Sequence, residues 1–352
     1  MNIKEVLMKA YEWQVSDIHF TPDCPVMFRK NGRMCTYSEE NIQTSDMDSI
    51  LQIFLKKDQR ERLEEQGEVD TAVTITGFSR LRVSIYKQMG SYGAVVHILS
   101  LEIPSPGELE LPSAILDLAK ESKGLIFING EAGSGKTTTT ASLLSQIVAG
   151  EAKKIITVEH PIEYLLPNGM GMISQREVGS DTKTFADAVQ SAMRQDADVL
   201  FVSELPDTDT IINVLDFAEA GHLVFASMCT CGTKDTLHRL IDMFPEYRRG
   251  QIRVQLAGVL KGIITQQLLP RCDIEARSAV FEIMLPDKEI QMLLREGRIS
   301  QIISVMQDKK KSGMQTMDDA ILSAYMMSRI LGETAVSYAL DKEQMKQRMR
   351  IY

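Results

Sequence analysis

Gly130-Glu131-Ala132-Gly133-Ser134-Gly135-Lys136-Thr137 is a complete G-x-x-x-x-G-K-[ST] phosphate-binding loop, and its flanks suit it. The apolar run Leu125–Asn129 before it reads as a buried strand, and Thr138 to Val148 after it as an amphipathic helix. The glycines let successive backbone N–H groups point at phosphate oxygens, and the helix N-terminus adds its positive dipole end. Lys136 then reaches the β- and γ-phosphates, and the Thr137 hydroxyl ligates Mg²⁺. At average composition such a match arises by chance about once per hundred chains of this size. Nucleotide binding follows.

Around this loop the chain separates into stretches. Residues 1–100 mix helical runs (Ile3–Trp13, Ser45–Glu65) with strand-like ones at Asp17–Phe20, Val26–Arg29, Asp70–Ile75, Arg80–Tyr86 and Gly93–Ile98. Pro104, Pro106, Gly107 and Pro112 make 101–112 a linker. From 113 to 270, apolar runs at Leu125–Asn129, Lys154–Glu159, Val199–Ser203 and Leu223–Ser227 alternate with helical ones. That is the pattern of a mostly parallel sheet covered by helices, an α/β fold. Residues 271–352 read as largely helical, at Glu289–Leu294, Ile299–Met306, Thr316–Leu331 and Thr334–Met349.

Composition bounds the partners. A net charge of −9 and the lack of a basic stripe argue against nucleic acid, and so against a DNA-translocating motor. No window approaches 18 uninterrupted apolar residues and no signal peptide opens the chain, so a cytoplasmic protein is expected, meeting a membrane only through a partner. The five cysteines are scattered, and Cys229-Thr230-Cys231 is better read as two small residues at a strand end than as a metal site.

Asp198-Val199-Leu200-Phe201-Val202-Ser203-Glu204 is an apolar strand ending in an acid. Glu204 therefore sits at the carboxyl edge of the sheet, where a carboxylate can orient and deprotonate an attacking water. The same logic puts Glu159 and Glu163 of Glu159-His160-Pro161-Ile162-Glu163 near the nucleotide. His222 opens the strand Leu223–Ser227 and is a candidate to hydrogen-bond a phosphate or the catalytic carboxylate, although a lone histidine is more often structural.

These segments, with Ser174–Thr182, Arg194–Asp198, Asp242-Met243-Phe244-Pro245, Ser16-Asp17-Ile18-His19-Phe20, Arg80–Ser84 and Gly313–Asp318, recur in one order. Together they resemble the secretion ATPase superfamily, and within it the retraction ATPases of type IV pili (PilT-like). The resemblance implies a PAS-like α+β N-terminal domain, a RecA-like ATPase core and a helical C-terminal region, assembled as a homo-hexamer. It implies ATP and Mg as cofactors, with Gly130, Glu131, Ala132, Gly133, Ser134, Gly135, Lys136, Thr137 and Thr138 binding the nucleotide. Glu204 matches the Walker B catalytic glutamate, Glu163 lies in the aspartate box and His222 in the histidine box. Arg80 and Arg82 would reach the γ-phosphate from the N-terminal domain. The partners it implies are an inner-membrane platform protein and a paralogous pilus ATPase, and the task is pilus retraction, which drives twitching motility.

The chain departs from the pattern at several boxes. His160 stands where the aspartate box has Asp, Cys229 where the histidine box has its second His, and His97 near an expected Arg. Leu205-Pro206-Asp207 replaces a basic residue after Glu204, and Glu289–Leu294 occupies the segment linked to retraction. A slow ATPase is the leading expectation. The alternative is a hydrolysis-poor ring subunit that binds nucleotide and modulates a partner motor.

Overall fold

The chain divides into two units, one of Met1–Glu102 with Pro161–Leu165 and the other of Ile103–His160 with Leu166–Tyr352. A computed structural model describes residues 2–75, 79–99 and 102–350. Residues 1, 76–78, 100, 101, 351 and 352, which end or interrupt the stretches named from sequence, lie outside the described residues.

The first unit runs α1 (Ile3–Glu12), β1 (Asp17–Phe20), β2 (Pro25–Lys30), β3 (Arg33–Asn41), α2 (Thr44–Phe54), α3 (Lys57–Gln66), β4 (Glu68–Ile75), β5 (Ser79–Gln88) and β6 (Ser91–Leu99). Its six strands form an antiparallel sheet in the order β3-β2-β1-β6-β5-β4. Alternation along β5 buries Leu81, Val83 and Ile85, leaving Arg80, Arg82 and Ser84 on the other face. The buried face meets Val6, Leu7, Met47, Ile50 and Phe54 of the helices in one apolar core. The single helix expected over Ser45–Glu65 is two. Leu55 is extended at φ −109°, ψ 135°, which lets it reach the core beside Phe54, and Gln59 Oε1 then accepts from Lys56 N at 2.9 Å to start α3.

The second unit opens with α4 (Ser113–Leu118), β7 (Gly124–Asn129), α5 (Lys136–Gly150), β8 (Lys154–Glu159), β9 (Met172–Glu177), α6 (Phe185–Ala192), β10 (Val199–Val202) and α7 (Thr208–Glu219). It continues with β11 (Leu223–Ala226), α8 (Thr233–Asp242), α9 (Glu246–Val259), β12 (Leu260–Pro270) and β13 (Arg277–Met284). Five helices follow: α10 (Lys288–Glu296), α11 (Ile302–Asp308), α12 (Met317–Met326), α13 (Gly332–Tyr338) and α14 (Lys342–Arg350). The sheet has the order β13-β12-β7-β11-β10-β8-β9, parallel except for β13. β7, β10 and β11 are buried along their whole length, as strands covered on both faces must be. The sheet continues past residue 270, because β12 turns back into β13 and pairs with it from Ile263 to Pro270. The two long C-terminal helical runs each break. α12 stops at Met326 ahead of Ser328 at φ 56°, and Asp318 accepts from the backbone N–H groups of Leu340 and Asp341 between α13 and α14. Among the described residues no helix is long and apolar enough to cross a membrane.

Candidate nucleotide site

β7 ends at Asn129, whose buried amide fixes the base of the loop. It donates to Thr236 Oγ1 at 2.9 Å and accepts from Met228 N at 2.9 Å, tying β7 to the segment after β11. Gly130 follows at φ 146°, where a Cβ would overlap the carbonyl oxygen of Gln266 and Oγ of Ser134. Gly133 at φ 74° faces open space, and Gly135 at φ 90° opens α5. Lys136 Nζ curls back to donate to the carbonyl oxygens of Gly130 and Glu131, both at 2.8 Å. Ser134 Oγ is buried with no hydrogen-bond partner among the described residues. A glycine-rich turn at the start of a fifteen-residue helix, with a lysine folded back onto it and a buried unsatisfied hydroxyl, suits an anion. These residues would hold the phosphates of a nucleotide, and Thr137 on the first turn of α5 would supply a hydroxyl to its Mg²⁺.

Glu204 follows β10 at the same carboxyl edge and is exposed. Only β11 separates β10 from β7, so two strand spacings, about 10 Å, lie between the two strand ends. Glu159, at the end of β8, is buried and accepts from Thr157 Oγ1 at 2.6 Å and Gln175 Nε2 at 3.0 Å, while His160 beside it is exposed. Glu163 belongs to the first unit. There it accepts from Arg82 Nη1 at 3.1 Å, while Arg80 donates to the Ile162 carbonyl at 2.6 Å and to Thr74 Oγ1 at 2.9 Å. Both arginines thus engage the Pro161–Leu165 segment of their own chain.

His222 is placed differently from the sequence expectation. It precedes β11, its carbonyl accepts from Gly124 N at 2.9 Å, and its ring packs on Phe217 with centroids 4.7 Å apart. Because β11 runs parallel to β7, this is the amino edge of the sheet, roughly 20 Å of strand from Gly130. It cannot reach a phosphate held by this chain's own loop. Cys229, two residues after Ser227, is instead at the carboxyl edge and exposed, as is Cys231. Cys231 Sγ donates to Glu131 Oε1 at 3.6 Å, and burial together with that carboxylate pushes its thiol pKa up. This contact and the one made by Gln266 have no sequence signal, since each arises from neighbouring strands.

A parallel sheet with a complete phosphate loop at the carboxyl end of β7 and a carboxylate at that of β10 defines the chain as a P-loop ATPase. Residues 1–331 match the type II/IV secretion system protein family, and the chain belongs to it. It is 33% identical over 322 residues to the twitching motility protein of Neisseria gonorrhoeae, covering 92% of this chain and 86% of that one. It is 31% identical to the type IV pilus ATPase PilU of Pseudomonas aeruginosa, covering 96% and 89%. Its fold superposes on the crystal structure of the pilus retraction motor PilT with bound ADP at a TM-score of 0.86, with 36% identity and 99% of each chain covered. The resemblance to retraction ATPases read from the motifs is borne out.

Proposed function

We propose that the protein is an ATP-hydrolysing motor of type IV pili that powers retraction as a homo-hexameric ring at the cytoplasmic face of the inner membrane. The observation that carries the reading is the joint placement of the phosphate loop and Glu204 on one edge of one sheet. Lys136 and the loop N–H groups hold the β- and γ-phosphates, Thr137 ligates Mg²⁺, and Glu204 orients the attacking water. Magnesium supplies charge neutralisation on the transferring phosphoryl group when bound. Arg80 and Arg82 complete the site of a neighbouring subunit, with the Ile162 carbonyl and Glu163 as their respective resting partners, and His222 acts structurally at the amino edge of the sheet. The moving partner is an inner-membrane platform protein that releases pilin from the filament base.

Turnover is slow in this reading, because an exposed His160 and an exposed Cys229 stand where an acid and an imidazole would support water positioning. The same two replacements favour the second reading, a ring subunit that binds nucleotide and tunes a paralogous motor. Phosphate release by the purified protein, with Glu204→Gln as its control, separates the two. Release that disappears in Glu204→Gln while ATP still binds supports the motor. No Glu204-dependent release, with ATP binding intact, supports the modulating subunit.

A further inference from the structure

We propose that Gln266 is a positioning residue for the phosphate loop and thereby sets nucleotide affinity. This rests on the reading that the loop holds a nucleotide. β12 lies parallel to β7 with Thr265 opposite Asn129, so Gln266 is the first residue of β12 to stand beside the loop instead of the strand. It is buried, and it meets the loop at three points. Its backbone carbonyl presses on Gly130 where a Cβ would stand. Its Nε2 is 2.8 Å from the place of a Cβ on Gly135, at the other end of the loop. Its Oε1 accepts from Thr139 Oγ1 at 2.7 Å, on the first turn of α5. Both polar groups of that last bond are buried. One residue therefore braces the entry glycine through its backbone, and the exit glycine and the helix start through its side chain, the three points between which the loop N–H groups must stay convergent to bind phosphate.

A glutamine that merely fills the sheet would change the stability of the protein and leave the affinity of the folded fraction alone. A positioning residue changes the affinity itself. Gln266→Leu keeps the volume and removes both polar atoms, Thr139→Val removes the partner hydroxyl, and the double variant closes the cycle. ATP and ADP dissociation constants are measured by calorimetry well below the melting temperature, with KM and kcat from phosphate release. Gln266→Leu is expected to weaken both nucleotides and raise KM roughly three- to tenfold, the worth of one buried hydrogen bond, with kcat within about twofold. Thr139→Val should give the same loss and the double variant no more than the larger single one. Wild-type affinity in folded Gln266→Leu overturns the proposal, as do losses that multiply in the double variant. If Gln266→Leu does not fold, wild-type affinity in Thr139→Val overturns it alone. Lys136→Ala marks the other failure: if it binds ATP normally, the loop reading falls, and if it loses ATP while Gln266→Leu keeps it, only the role of Gln266 falls.

Discussion

Lys136 rests on two backbone carbonyls of its own loop, which the proposed function requires it to trade for phosphate oxygens when nucleotide enters. Replacing it removes the loop's cation without disturbing any buried packing, so Lys136→Ala is expected to lower ATP affinity more than tenfold with little change in melting temperature. Calorimetry and a thermal melt decide it. Gly130→Ala should fail differently. At φ 146° with a backbone carbonyl in the way, an added methyl forces the loop apart, so stability falls by about 1–3 kcal/mol and nucleotide affinity falls with it. A third residue reports on the first unit. His19 is half-buried with Nε2 unpartnered among the described residues, and burial is the main cause that lowers its pKa; Asp17 opposes this while Arg29 and His97 add to it. A depressed histidine stays neutral in the folded chain after the unfolded chain has protonated. Stability is then complete above the unfolded value of about 6.5 and is lost as pH falls through the folded value. Urea midpoints of the wild type should therefore drop as pH falls below about 6.5, and those of His19→Asn should drop less. Parallel pH profiles would remove His19 as the cause.

At the scale of elements, what was legible in the sequence was what is periodic or fully apolar. β7, β10 and β11 read directly as buried runs, and the loop between β7 and α5 as a phosphate loop, because both signals are local. β9 was not legible because its residues are half-exposed and polar, and β12 because α9 passes into it at Val259–Leu260 with no glycine or proline to mark the change. Those two strands carry Gln175 and Gln266, so the partners of Glu159 and of the phosphate loop were hidden with them. His222 was misplaced for a related reason: a residue flanking a strand shows that it lies at an edge, and only the strand's direction says which. β13 carries a further consequence. Glu282 is 1% exposed and accepts from Thr233 N at 2.6 Å and Met317 N at 3.3 Å, so one carboxyl group caps the starts of α8 and α12. Glu282→Ala strands both helix starts in the interior and should cost about 2–4 kcal/mol in urea denaturation, far more than an exposed capping loss. A midpoint within error of wild type would show that the two helices find other partners.

For the whole molecule, the proposed catalytic role of Arg80 and Arg82 has to be reconciled with the bonds they make within their own chain. Arg82 spends its charge on Glu163, and Arg80 donates to Ile162 and Thr74, all within the first unit. A transferring phosphoryl group is stabilised chiefly by positive charge aimed at it, and an arginine delivered from a neighbour is one way a ring couples subunits. If Arg82 works in trans, each site has two halves: Glu204 from one chain and Arg82 from the next. Arg82→Ala and Glu204→Gln would then each inactivate a ring made of that chain alone. A ring mixed at random in equal parts would contain sites that draw an intact Glu204 from the first variant and an intact Arg82 from the second, about one site in four. Phosphate release from the mixture should accordingly recover to about a quarter of the wild-type rate, after subunits are allowed to exchange, while either variant alone stays near background. Recovery that disappears when the variants are kept apart, or diluted below the concentration at which sedimentation shows a ring, would locate the effect in the assembly. A mixture that stays as inactive as its components, in rings that sedimentation confirms are mixed, would place Arg82 and Glu204 in one chain's site and remove the trans assignment.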